Sequence, residues 1–100
     1  MYDPAQNRDN KREIAQLAKL AARGFKWAAG PLAVSIVIYK RTAKKQMGWN
    51  MARPDADNCA KLILDALNGV VYADDAQVCN LHVEKHYGER SYTRVVVTEL

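Results

Sequence analysis

The chain has little with which to build a secreted or membrane-bound protein. Two cysteines in 100 residues, Cys59 and Cys79, are too few for a disulfide framework. The apolar runs are short: "PLAVSIVIY", residues 31–39, falls far below the roughly 20 residues that cross a bilayer. No basic start followed by an apolar stretch marks an export signal. A reducing, cytoplasmic setting without a membrane partner is therefore expected. GxGxxG, GxxxxGK[ST] and GxSxG are also absent, which removes support for dinucleotide, P-loop and serine-hydrolase chemistry and for a nucleotide cofactor. There is no internal repeat and no low-complexity stretch.

Acidic residues are missing from one region and crowded into the next. Residues 40–53 hold none, whereas "RPDADNCAKLILDALNGVVYADDAQV", residues 53–78, holds five of the eleven. Residues 1–53 carry eleven Lys and Arg against three acids, a net +8, and residues 54–100 carry four against eight, a net −4. A basic surface attracts nucleic acid by releasing its counterions. An ordinary solvated face is the competing reading of the same charges.

At 49% hydrophobic, residues 1–100 fit one globular domain with room for one core. Asp3-Pro4, or Asn10 with Glu13, opens an amphipathic helix that reaches Arg23 and stops at Gly24. Residues 32–39 read as a strand buried on both faces, and therefore central. "KRTAKKQMGWNMAR" then breaks the pattern. Lys40, Arg41, Lys44, Lys45 and Arg53 crowd a glycine-containing loop around Trp49, as in a loop that tracks phosphates and offers one ring to a base. The alternative is a lysine loop with a docked tryptophan. Asp57 or Asn58 caps a helix to about Asn68, with Leu62, Ile63, Ala66 and Leu67 inward and Gly69 as its stop. A short extended piece at residues 70–72, a turn at "ADDAQ", and strands at 78–87 and 92–98 joined by "GERS" as a hairpin complete the order. The expected fold is an α/β domain: a small mixed sheet of three to four strands with two helices packed on it.

Residues two apart in extended chain point the same way, so Asp55 and Asp57 can aim both carboxylates at one point where the helix starts. Pro54 stiffens the approach. Lys61 follows Asp57 by one helical turn, as a salt-bridge partner or as a phosphate ligand. Asp74 and Asp75 supply a second pair, which joins the first if the chain returns to the same end of the sheet. Such carboxylates suit magnesium, which at a phosphodiester polarises the phosphoryl oxygen and generates hydroxide. The plain alternative makes Asp57 a helix cap and Asp74 and Asp75 turn residues. An EF-hand starting at Asp55 fails, because Cys59, Ala60 and Ala66 occupy positions that need an oxygen ligand, Gly and Glu. His82 and His86 lie about 13 Å apart along a strand, too far to share zinc, and read as solvent-facing. Cys59 and Cys79 read as small buried hydrophobes.

The 53–78 segment closely resembles the signature of the RusA family of Holliday junction resolvases, with a D-x-D-N-x-x-K stretch, a "DAL" helix and a later "DDAQ" turn. Asp55, Asp57, Asn58, Lys61, Asp65, "LNGVV", Asp74, Asp75 and Gln77 stand in register with it. The resemblance extends more loosely over "LHVEKHYG" and the last strand. It implies a magnesium-dependent endodeoxyribonuclease, with manganese able to substitute, that acts as a homodimer. Four-way junction DNA would be nicked in pairs during recombination and repair in a bacterial or phage-derived setting. It places essential acids at Asp55, Asp57 and Asp75, an essential lysine at Lys61, and Asp74 as a further ligand or the cap of its turn. The strand and Pro- and Asn-containing segment that usually open the family have no counterpart in "MYDPAQNRDN". A module that binds DNA without cutting it is the alternative this leaves.

Overall fold

The computed structural model describes residues 12–17 and 29–100, and residues 12–17 are helical. The remainder of the expected N-terminal helix lies outside the described residues.

Four strands form one mixed sheet: β1 (Leu32–Lys40), β2 (Gly48–Trp49), β3 (Val78–Tyr87) and β4 (Tyr92–Glu99), in the order β2-β3-β1-β4. The β-branched run of β1 makes it central, as expected, parallel to β3 and antiparallel to β4. Its burial alternates, however. Leu32, Val34 and Ile36 are fully buried on one face, while Ala33, Ser35 and Val37 on the other are only half-buried. The expectation of a strand buried on both faces is thus corrected, because the described helices pack on one face.

The last two strands are not a hairpin. β4 pairs with β1 rather than β3, so residues 88–91 carry the chain across the end of β1. Gly88 N–H donates to Lys40 C=O at 3.0 Å, and a Cβ on Gly88 would stand 3.3 Å from the Tyr39 ring. A four-residue turn between alternating strands looks the same in sequence whether or not a third strand fits between them.

Between the parallel strands runs helix α1 (Ala56–Leu67). Its buried side chains are Ala60, Ile63, Ala66 and Leu67, with Leu62 half-buried, which moves the inward face slightly from the expected one. Ala60, Ile63 and Leu67 meet Leu32, Val34, Ile36 and Tyr72, with Ile14 and Val83 at the margin. The helix ends at Asn68, followed by Gly69 at φ +74°, a conformation that favours glycine. Residues 70–72 are a turn rather than an extended piece: Val70 and Val71 both donate to Leu67 C=O, and only Tyr72 bridges back to Asn68. Tyr72 is fully buried, and its hydroxyl donates to Leu64 C=O at 2.9 Å, satisfying one of the carbonyls that a helix end leaves open.

Candidate functional site

β1 leads out of the sheet through the basic segment, across β2, and into the start of α1. That start therefore lies beyond the carboxyl end of a parallel strand, where open α/β sheets place their ligand sites. Asn50 fixes the approach. Its N–H donates to Lys85 C=O at 3.0 Å and its side chain accepts from Ala52 N–H at 2.8 Å. The Lys85 ammonium in turn donates to Ala52 C=O.

Asp55, rather than Asp57 or Asn58, is the N-cap residue, yet its side chain makes no capping hydrogen bond. Asp57 stands in the first turn and is exposed. Lys61 is exposed one turn further on and forms no ion pair with a described residue. The half-buried Cys59 registers the local charge: burial raises its thiol pKa, Lys85 opposes this, and Asp55 and Asp57 add to it. These influences together favour the protonated thiol.

The "DDAQ" turn divides its two acids. Asp74 caps the 3-10 turn Asp75–Gln77, its carboxylate accepting from Ala76 N–H at 3.0 Å. Gln77 accepts from Ala73 and Asp74 N–H at 3.1 Å each and donates to Gly30 C=O at 3.1 Å. Asp74 and Gln77 therefore build the turn and anchor it beside the start of β1. Removing the cap in Asp74→Ala is expected to lower stability by about 1 kcal/mol, read as a lower urea midpoint. Asp75 is half-buried near Tyr72. Burial, and then the charges of Asp75 and Asp65, push the Tyr72 phenol well above its ordinary pKa, so that it persists as a donor.

The expected convergence of both acidic pairs is not found. Helix α1 runs back along the sheet, and the chain does not return before the turn. Asp55 and Asp57 thus lie at its start, and Asp75 near Asp65 and Tyr72 toward its end. Asp57 and Asp65 alone are separated by about 12 Å of helix rise. Among the described residues, no three His, Cys, Asp or Glu side chains are gathered as a metal site.

The basic residues are all exposed: Lys40 at the end of β1, Arg41, Lys44 and Lys45 in the loop, and Arg53 before the helix. Arg41 and Lys45 share a shallow cavity of about 360 Å³ with Met47, Gly88 and Glu89. Trp49 belongs to the edge strand β2, which two residues were too few to reveal, and is 68% exposed. Corrections extend to Cys79, which is exposed, and to His86, which is half-buried against Trp49 and Tyr39. His82 and His86 both bond Glu84 between them, and these bonds hold the Glu84 carboxyl below the usual carboxylate range.

Residues 1–98 match the family model described as Endodeoxyribonuclease RusA. The chain belongs to the RusA endodeoxyribonuclease family. This is the Holliday junction resolvase family, so family membership indicates endodeoxyribonuclease activity on Holliday junction DNA. The chain is also 31% identical over 113 aligned residues to the uncharacterised protein YqaN of Bacillus subtilis (strain 168), covering 100% of this chain and 79% of that relative. The four-stranded mixed sheet with its helices is consistent with the RusA-like α/β fold. No helix among the described residues is long and apolar enough to cross a membrane.

Sequence reasoning missed Lys85, whose ammonium lies beside the acidic helix start. The signal was available in its parity: residues 83 and 85 share the helix-facing side of β3.

Proposed function

We propose that this RusA-family chain is a magnesium-dependent endonuclease that resolves four-way junctions by paired nicks, as a homodimer in a bacterial or phage-derived cytoplasm. The observation that carries the reading is Asp55. An acid at a helix N-cap ordinarily bonds the first amides; this one does not, and Asp57 stands two residues on. Magnesium is commonly held by one or two carboxylates together with phosphate and water, so a two-acid site suits it, and manganese shares the preference for oxygen ligands. A bound ion would supply Lewis-acid polarisation of the phosphoryl group and a hydroxide at neutral pH. Asp55 and Asp57 would hold it. Lys61 would bind a non-bridging phosphate oxygen and stabilise the charge that builds there. Lys85 keeps the 50–52 approach in place through Ala52 C=O. Lys40, Arg41, Lys44, Lys45 and Arg53 would follow the phosphates of the junction arms. Two copies suit a substrate of near two-fold symmetry that needs two cuts.

A second reading, a DNA-binding module without turnover, is favoured by the separation of Asp75 from Asp55 and Asp57 along α1. One assay separates the two: a labelled four-way junction and a linear duplex of the same sequence, each incubated in magnesium and in EDTA. The nuclease reading expects paired nicks in the junction alone, abolished by EDTA. Salt-sensitive binding without nicks would replace it with the binding module. Asp75→Asn reports separately, since loss of cleavage matching that of Asp57→Asn would add Asp75 to the site, by movement of its turn or from the second copy.

A further inference from the structure

Four rings stand in a row across the whole sheet, on the face opposite α1. Trp49 of β2 lies 4.4 Å from His86 of β3, His86 lies 5.5 Å from Tyr39 of β1, and Tyr39 lies 4.7 Å from Tyr92 of β4. Strand register produces the row, because Trp49 pairs with His86, Tyr39 with His86, and Tyr39 with Tyr92. The interplanar angles are 30°, 23° and 18°, so the rings face one another as a pile rather than lying flat as a floor. A pile of this kind has two ends. The Tyr92 end carries Arg90, whose guanidinium lies 5.3 Å from the ring centroid. At the other end Trp49 sits on the edge strand, makes its one described ring contact with His86, and is 68% exposed.

We infer that the outward face of Trp49 is a stacking site for an unpaired base of the DNA substrate. The inference rests on the nuclease reading above and specifies how the branch point is held. An exposed indole on an edge strand could instead meet a second copy of the chain, since Met47 and Met51 beside it are also exposed. Charge decides between the two occupants. Residues 40–53 carry Lys40, Arg41, Lys44, Lys45 and Arg53 with no acid, so the surroundings of Trp49 repel a second copy of themselves and attract a polyanion. The pile also reduces the entropy lost on binding, because the indole already rests on His86, which is itself stacked on Tyr39 and held by Glu84. Trp49 precedes Asp55 by six residues, and Asn50 and Ala52 between them are tied to Lys85 of β3, so the ring and the acids belong to the same end of the sheet, on opposite faces.

The test uses the full chain in EDTA, so that binding is read without cleavage. Trp49→Ala is expected to bind a four-way junction and a single-stranded oligonucleotide about 5- to 150-fold more weakly, the range for losing one base-aromatic stack. Binding to linear duplex should be unchanged, and Trp49→Phe should keep most of the affinity. Single-stranded DNA should quench tryptophan emission in the parent and in Trp27→Phe, but not in Trp49→Phe. Equal affinity of parent and Trp49→Ala for the junction would overturn the inference while leaving the nuclease reading intact. So would a shift in oligomeric state with unaltered quenching. Failure of the parent to bind any DNA would remove both.

Discussion

Asp57→Asn is expected to lower junction cleavage at least about a hundredfold, the scale for removing one group that stabilises transition-state charge. A hundredfold corresponds to about 2.7 kcal/mol of barrier. Folding should barely change. Asp57 is exposed in the first turn of α1 and hydrogen-bonds no described residue, so its contribution to the fold is a helix-dipole interaction of about 0.3–1 kcal/mol. Asp55→Asn should behave alike, because its side chain makes no capping bond to lose. Asp74→Ala makes the contrast, with a stability loss and largely retained cleavage. The measurement pairs single-turnover cleavage with a urea midpoint for each variant. Variants that lost activity only in proportion to stability would show these acids to be structural.

Tyr72→Ala is expected to be the most destabilising single change on this side of the sheet. Truncating a fully buried aromatic ring costs about 3–5 kcal/mol, against the 5–15 kcal/mol that hold a typical domain together. The ring fills the space between α1 and the turn that presents Asp75, and its hydroxyl closes the open Leu64 carbonyl. Tyr72→Phe keeps the ring and loses that bond, at about 1 kcal/mol. Urea unfolding of the two variants separates packing from hydrogen bonding. Equal losses would mean that the hydroxyl, rather than the ring, carries the effect.

The strands were legible because β-branched residues in β1 and alternation in β3 leave few other solutions for their backbones. Their order was not, since the "GERS" turn reads as a hairpin whether or not β1 lies between the strands it joins. The placing of Asp55 and Asp57 at a helix start could be read from the D-x-D; the extended geometry expected between them could not, because the helix already begins at Ala56. The position of Asp75 could not, because it depends on which way α1 runs along the sheet and on where the chain stops after it. The aromatic pile depends on the register of four strands, of which β2 has two residues. No local pattern announces it.

The most direct test of the central claim is an anomalous-scattering map from crystals of the full chain soaked in manganese. An ion is expected at the start of α1, bound by Asp55 and Asp57. An ion held instead by Asp65 and Asp75, or no ion at the helix start in a chain that cleaves junctions, would contradict it.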